Sequence, residues 1–430
     1  MYLTDRSAPA QADTEQGRRR GPGRKVAPVV LVLGSVSLIT DISSEMVTAV
    51  LPLYLVTTLG FTPLVFGTLD GVYNGVSALV QLTGGHLADR VRNHKLLAGL
   101  GYGLSALCKP LLLLVSSIGA LGTVLALDRT GKGLRTAPRD AMISLSTPSE
   151  RQGRAFGVHR AMDTTGAMLG PLAAFFILRA ATDGYDAVFG VSACVAVLGV
   201  LVLVLFVPRR GQVAHTDEAG GTAETGGTAE SRPPIRVREA LALLRLPRLR
   251  ALAVCAALLG LTTVSDAFVY LLLQRRAGIA DEWFPLLPLG TAAVFLLLAV
   301  PLGALADRVG RRAVFLAGHA SLLTAYALLL WAPATPALPF LVLALHGLFY
   351  AATDGVLPAA LADIVPEQLR ASGLAIVGTS QALARFCCSL AFGAAWTVWG
   401  DGPALAGSAV GLLCCAAVAG MLLRPSGETR

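Results

Sequence analysis

Charged side chains are concentrated between Asp128 and Pro171, a segment that lies between strongly apolar stretches. Its ionisable residues include Asp128, Arg129, Lys132, Arg135, Arg139, Asp140, Arg160 and Asp163. An ionised group near the centre of a bilayer costs roughly 2.5–3.5 kcal/mol on insertion scales unless it is paired or hydrated. Because a chain rarely keeps so many of these groups without a use, we expect this segment to serve binding or proton transfer.

Two carboxylates, Asp41 and Glu45, lie four residues apart in an apolar run, so a helix places them on one face. Two carboxylates that face one cavity disfavour each other's ionisation, which favours one of them holding a proton near neutral pH. This arrangement suits proton coupling, recognition of a cation, or both. The alternative is that both carboxylates pair with arginines of the fourth apolar run as fixed structure.

Other polar residues within apolar runs are candidates for the same cavity. Asp70 and Asn74 share a helix face, with a solvated position at the mouth as the alternative for Asp70. Arg129 is expected at depth. Arg160 and Asp163 are three residues apart, so they either face the cavity or neutralise each other locally.

The second half of the chain carries fewer charges within its apolar runs. Asp266 is expected at a depth similar to that of Asp41. His346, Tyr350 and Asp354 are spaced by four residues and share one helix face. This asymmetry predicts that the coupling charges lie mainly in the first half and that the second half offers an apolar surface to a substrate.

Composition identifies the chain as a membrane protein, because only 14% of its 430 residues are charged and 54% are hydrophobic, whereas soluble domains are about 25% charged. A transmembrane helix needs about 20 apolar residues. The sequence therefore predicts an all-α polytopic membrane protein with twelve transmembrane helices in two six-helix halves. The apolar runs lie at 28–58, 64–87, 96–118, 120–144, 155–179, 185–207, 249–274, 284–306, 313–332, 338–363, 372–399 and 403–423.

Loops and tails complete the predicted organisation. Basic residues in alternate short loops place both termini in the cytoplasm and the protein in the cell (inner or plasma) membrane. The same placement explains the net charge of +8 without a nucleic-acid partner. The predicted units are a disordered cytoplasmic tail (1–27), an N-terminal bundle (28–207), a cytoplasmic linker (208–248), a C-terminal bundle (249–424) and a cytoplasmic tail (425–430).

One motif occurs once in each half. Gly85, Asp89 and Arg90 end the second run, and the pattern recurs half a chain length later with Gly303 at its start. Two repeats joined by a linker predict a transporter whose site lies between the halves at mid-membrane.

On these residues the chain resembles the major facilitator superfamily. The family signature Gly-x-x-x-Asp-Arg/Lys-x-Gly-Arg/Lys-Arg/Lys is matched by Gly303, Asp307, Arg308, Gly310, Arg311 and Arg312, and in part by Gly85, Asp89 and Arg90. In the first copy Arg92 and Asn93 replace the expected Gly and Arg. The resemblance implies a conformational latch, in which Arg385 is expected to pair with Asp307. The alternative is a simple positively charged loop.

Two further motifs are similar to those of proton-coupled drug antiporters in this superfamily. The fourth run keeps Leu125, Arg129 and Gly133 of the family pattern, with Lys132 in place of Gln. The fifth run keeps four residues of the antiporter helix, with Ala174 and Phe175 in place of its last glycines; the four are Gly157, Gly166, Gly170 and Pro171. The alternative is ordinary packing of small residues between helices.

The expected function is secondary active transport, with proton-coupled export of a small amphiphilic or cationic compound by alternating access. The expected partners are a small-molecule substrate, protons and the lipid bilayer; we expect a monomer that is not an enzyme, with no cofactor and no metal site. Three alternatives stay open: a proton symporter importing a metabolite or organic anion, an exporter of a metal or metal chelate, and a non-transporting membrane sensor or scaffold. Latch motifs in both halves argue against the last.

Overall fold

The computed structural model describes residues 27–90, 93–148, 152–207, 246–354, 365 and 370–422, and this part of the chain is all-α. A π-helical turn, Tyr54–Thr58, continues the first helix, and a 3-10 turn, Asp281–Trp283, precedes the ninth. The α-helices are α1 (Pro28–Leu53), α2 (Pro63–Arg90), α3 (His94–Leu111), α4 (Ile118–Leu145), α5 (Gln152–Ala180), α6 (Gly184–Phe206), α7 (Pro247–Gly260), α8 (Asp266–Ala277), α9 (Leu286–Val309), α10 (Arg311–Trp331), α11 (Leu338–Thr353), α12 (Arg370–Trp399) and α13 (Asp401–Leu422).

These helices follow the predicted apolar runs, with α7 and α8 as two parts of the seventh, and they confirm the predicted all-α polytopic fold. Within the described residues, seven segments are long and apolar enough to span a membrane: Pro28–Thr58, Arg154–Ala180, Gly184–Phe206, Asp281–Val309, Arg311–Trp331, Ile376–Trp399 and Asp401–Leu422. The predicted tails and most of the predicted linker lie outside the described residues. Helix α7 already begins at Pro247, inside the predicted linker.

The seventh run was predicted as one helix, but the structure interrupts it between α7 and α8. The hydroxyls of Thr262 and Thr263 donate hydrogen bonds to the carbonyl of Leu259, at 3.1 and 2.8 Å. The Val264 amide donates instead to the buried Tyr326 hydroxyl at 2.8 Å. Hydroxyl side chains compete with helical hydrogen bonds, and β-branched side chains lose χ1 freedom in a helix, so this polar run is where the helix breaks.

Helices α3 and α4 cross with their backbones in contact at Gly101 and Gly131. A Cβ atom built on either glycine would lie 2.7 Å from the carbonyl oxygen of the other. Small residues permit this approach between transmembrane helices. The crossing fixes α4, which carries most of the buried cations of the first half.

Replacing Gly131 with alanine is expected to destabilise the protein by about 1–3 kcal/mol, because the methyl group overpacks this crossing. The measurement is thermal unfolding of the purified protein in detergent. Gly119→Ala is the matched control, since a Cβ there has no described residue within 4 Å. Equal melting temperatures for the two variants would contradict the crossing geometry.

The two halves meet along α2 and α12, at the face of the bundle opposite the N-terminus of α1. We call residues 63–70 of α2 and 389–397 of α12 the seam. A Cβ on Gly67 would lie 2.3 Å from the carbonyl oxygen of Ser389, and one on Gly393 would lie 2.4 Å from that of Pro63. The Leu64 amide donates to the Thr397 hydroxyl at 3.0 Å. The seam therefore brings backbone against backbone across the two halves.

Candidate functional site

The carboxylates of α1 pair with cations of α4. Asp41 accepts from Arg135 at 2.9 Å, and both side chains are nearly inaccessible, at 9% and 3% exposure. Glu45 pairs with Lys132 at 3.3 Å, and these side chains keep 25% and 35% exposure. The alternative of pairing with arginines of the fourth run therefore describes Asp41, whereas the α4 partner of Glu45 is a lysine. Lys132, the departure from the antiporter pattern, gains a role as the counter-ion of Glu45.

Asp128, Lys109 and Arg129 form a buried triad of charged side chains. The Asp128 carboxylate accepts from Lys109 at 2.9 Å and from Arg129 at 2.8 Å, and the Ser105 hydroxyl donates to it at 2.6 Å. The guanidinium of Arg129 also lies 4.0 Å from the ring centroid of Tyr73, a cation–π contact. Arg129 was predicted to face the cavity, but the structure holds it inside the N-terminal bundle, because Asp128 and Tyr73 enclose it there.

Asp163 of α5 lies between two arginines. Arg139 approaches it to 3.6 Å and Arg160 to 3.9 Å. The Arg160 side chain is 80% exposed, and by helical spacing it shares a face of α5 with Thr164, which lines the central cavity. The predicted local pairing of Arg160 with Asp163 is therefore present, with Arg139 as a closer second cation.

The C-terminal half has its own polar group at the start of α8. Asp266 accepts a 2.5 Å hydrogen bond from the Tyr350 hydroxyl, and its carboxylate lies 3.4 Å from Nε2 of His346. His346 is fully buried, and its ring is parallel to that of Phe349. Sequence spacing had placed His346 and Tyr350 on one face, and Asp266 is the group that this face meets.

Asp70 connects the two halves. Its carboxylate accepts from the Ser389 hydroxyl of α12 at 2.7 Å and from the Asn74 side chain at 3.3 Å. Asp70 is only partly exposed. The structure thus places it in the seam between the bundles, because the start of α2 packs along the end of α12.

A central cavity of 360 Å³ lies between the halves. Its walls hold three carboxylates, Glu45 from the first half and Asp266 and Asp354 from the second. The rest of the lining is largely apolar or aromatic, including Met168, Pro171, Tyr270, Phe295, Leu296 and Tyr350. Arg385 lines two smaller cavities, one of 120 Å³ within the second half and one of 50 Å³ that Asn74 of the first half also lines.

The glycines of α5 differ in how closely they let neighbouring helices approach. A Cβ on Gly166 would lie 2.4 Å from the carbonyl oxygen of Leu38, and one on Gly170 would lie 2.8 Å from that of Ile42. Both therefore let α5 press against α1 beside its carboxylates. A Cβ on Gly157 would have none of the described residues within 4 Å, and Pro171 lines the central cavity.

The second copy of the latch motif forms a turn between α9 and α10. Gly310 has φ +105°, which explains the glycine at that position. Asp307 pairs with Arg311 at 3.7 Å. In the part of the chain that the structure describes, no atom lies within 4 Å of a Cβ built on Gly303, and Arg308 is exposed.

The predicted pairing of Arg385 with Asp307 is wrong for this conformation. Arg385 lies in the middle of α12 and faces cavities that Asp266 and Asp354 also line, whereas Asp307 lies in the last turn of α9. Gly85, Asp89 and Arg90, the first latch copy, occupy the last turns of α2, and their side chains lie outside the described part of the chain.

Basic residues at the start of α3 and α10 cap the last helix of each half. Lys95 donates to the carbonyl oxygens of Val204 and Val207 at the end of α6. Arg312 donates to the carbonyl oxygen of Gly420 near the end of α13. Cations at helix C-termini satisfy free carbonyls and favour the helix dipole. The two halves therefore repeat this contact.

The fold and the two-fold repetition agree with the comparison with known families. A family model described as Major Facilitator Superfamily matches residues 33–298 and 284–430. Because the two matches together span nearly the whole chain, the protein belongs to the major facilitator superfamily of membrane transporters.

Related proteins extend along the full chain. An uncharacterized MFS-type transporter of Methanocaldococcus jannaschii is 29% identical over 403 residues, which cover 91% of this chain and 94% of that protein. The crystal structure of nucleoside transporter NupG superposes with a TM-score of 0.75 at 14% identity, covering 93% of this chain and 100% of that chain. A bacterial homologue of the human lysosomal transporter Spinster, inward-facing and unoccupied, gives a TM-score of 0.70 at 15% identity, covering 92% and 96%. At these identities the structural likeness shows the fold alone.

Proposed function

We propose that the protein exports small amphiphilic cations in exchange for protons. The observation that carries this proposal is the central cavity, where Glu45, Asp266 and Asp354 from both halves face a lining rich in aromatic and apolar side chains. Carboxylates attract a cation and also bind protons, and an apolar wall favours the organic part of the same molecule. One cavity therefore serves substrate and proton by turns.

Glu45 is the group at which this competition takes place. Its pair with Lys132 is longer and more exposed than the buried pair of Asp41 with Arg135. A partly solvated pair is weaker, so a cationic substrate or a proton can take the place of Lys132. Asp41 then serves as fixed structure beneath the exchanging carboxylate.

Alternating access requires the halves to part at one face while they meet at the other. The positive-inside rule assigns the α1 N-terminus to the cytoplasm, so the seam closes the extracytoplasmic face in this conformation. Contacts of Gly166 and Gly170 with α1 place a closely packed, proline-containing α5 beside Glu45, and such a helix suits gating.

Ethidium, an amphiphilic cation, is a suitable probe in cells that express the protein. Loaded cells are expected to expel ethidium against its gradient, and a protonophore is expected to abolish this concentrative efflux because it removes the proton gradient. Cells with the empty vector provide the baseline. Efflux that continues unchanged after collapse of the proton gradient would overturn the coupling.

Import of a neutral or anionic metabolite is the second candidate, favoured by Arg160 near the central cavity and by Arg385 in the two smaller cavities. Nucleoside and peptide transporters share the fold. Uptake of a nucleoside, a dipeptide and a divalent cation into the same cells separates this candidate, and metal transport, from export of ethidium.

A further inference from the structure

We infer that Asp70 is a proton-operated latch, and that the seam closes when Asp70 takes a proton from the extracytoplasmic side. This inference rests on the proposed proton coupling and goes beyond it. It gives the carboxylate at the seam a role separate from that of the central cavity. The step is a simple transfer, in which hydronium gives its proton to a carboxylate oxygen of Asp70 and leaves a water molecule.

The partners of Asp70 set it apart from four other carboxylates inside the N-terminal bundle. Asp41, Glu45, Asp128 and Asp163 each have a lysine or arginine within 4 Å. Asp70 is bonded to the hydroxyls of Ser389 and Ser265 and to the side-chain amide of Asn74, all of which are neutral. Among the described residues, no cation lies within salt-bridge distance of its carboxylate. A carboxylate without a counter-ion binds a proton more readily when it leaves water.

The seam is tight enough to remove that water. Gly67, one turn before Asp70, has the carbonyl of Ser389 against its Cα, and Gly393 has the carbonyl of Pro63 in the same position. Side chains of Phe66, Phe268 and Phe392 pack at centroid distances of 4.8 and 4.9 Å beside this contact. Closing the seam therefore transfers Asp70 from water to a largely apolar interface.

The charged and titratable groups around Asp70 come from three helices. The adjoining 50 Å³ cavity is lined by Asp266 of α8, Tyr350 of α11, and Arg385 and Ser389 of α12, with Asn74 of α2 on the other side. Cys388 of α12 donates to the Thr263 carbonyl. Tyr350 and His346 hold the carboxylate of Asp266. The negative charge of Asp266 disfavours a second negative charge nearby, and this also favours a neutral Asp70 in the closed seam.

The direction of the effect follows from these contacts. In the open seam Asp70 is hydrated and ionised, and in the closed seam the neutral acid is favoured. Acid on the extracytoplasmic side therefore favours closure, and alkali favours opening. The Ser389 hydroxyl bonds either form of the acid, so it holds the closed seam together without setting its pH dependence.

The test is a distance measurement between spin labels on opposite sides of the seam at its outer end, on the full chain in lipid nanodiscs without substrate. The labels replace Thr62, before α2, and Trp399, at the end of α12, after the exposed Cys194, Cys387 and Cys414 are replaced by serine. The measured quantity is the population at the short, closed distance divided by the population at the long, open distance. In the wild type this population ratio is expected to fall by up to about tenfold per pH unit above the midpoint of the pH transition.

Four variants decide the outcome. Asp70→Asn mimics the protonated acid, so its seam is expected to be mostly closed at every pH, with a population ratio that does not change with pH. Asp70→Glu keeps a carboxylate and is expected to keep the slope, while Ser389→Ala lowers the closed fraction at every pH with the slope unchanged. Asp186→Asn, an exposed carboxylate outside the seam, is expected to match the wild type.

A wild-type slope that persists in Asp70→Asn would overturn the latch, and so would a wild type with no slope. Because the labels report without substrate, these results are independent of ethidium efflux. A pH slope that depends on Asp70 in a protein that fails to export ethidium would support the latch and reject the proposed exporter. Gradient-driven efflux of ethidium by a protein whose seam does not respond to pH would support the proposed exporter and reject the latch.

Discussion

Replacing Asp128 with asparagine is expected to destabilise the protein by about 3–5 kcal/mol, because it leaves two buried cations without their counter-ion. Lys109 and Arg129 both bond to this carboxylate, and all three side chains are buried. The measurement is thermal unfolding in detergent, together with the yield of protein that remains monodisperse after extraction.

Two further variants separate charge balance from packing. Lys109→Met leaves Asp128 paired with Arg129, so it is expected to cost much less than Asp128→Asn. Asp140→Asn removes a carboxylate that is 42% exposed and paired with Arg139, and exposed pairs contribute only about 0–1 kcal/mol. If Asp128→Asn has the same melting temperature as these two variants, the ion pairs among Asp128, Lys109 and Arg129 do not stabilise the bundle as their geometry indicates.

The second large effect is expected for Glu45→Gln, which should abolish gradient-driven export of ethidium. Glutamine has nearly the shape of glutamate but cannot carry a proton or neutralise Lys132. A lost charge-assisted hydrogen bond is worth about 1.5–3 kcal/mol, which corresponds to roughly 10- to 150-fold in the rate or affinity that depends on it. The measurement is the initial rate of ethidium efflux from energised cells.

A matched control keeps the interpretation specific to the cavity. Asp186→Asn removes an exposed carboxylate at the start of α6, away from the cavity lining, and should leave efflux unchanged. Expression and melting temperature of both variants show whether the protein is intact. Full efflux by intact Glu45→Gln would mean that the exchanging group lies elsewhere.

The sequence predicts the helices well because the bilayer requires long apolar runs. The break at Leu261–Ser265 was missed, although two threonines and a serine in that run are a visible signal. Lys109 was missed for another reason. A lysine within an apolar run indicates a buried counter-ion, but the sequence does not show that Asp128 faces it.

Pairing between helices depends on how each helix is rotated about its axis, and no local pattern reveals that rotation. The spacing of Asp41 and Glu45 predicts a shared face, yet it does not say that Arg135 meets one and Lys132 the other. Contacts between the two halves are still harder to predict from the sequence. The bond between Asp70 and Ser389 joins α2 to α12 across the seam, so it depends on how the two bundles meet and not on either helix alone.

The central claim, that a carboxylate of the central cavity exchanges protons for a cationic substrate, is tested most directly in everted membrane vesicles that hold a proton gradient. Adding ethidium to vesicles with the wild-type protein is expected to dissipate the gradient, with the same response in Asp186→Asn and none in Glu45→Gln. Equal dissipation by the wild type and Glu45→Gln, or a wild type that responds to a nucleoside and not to ethidium, would contradict the account.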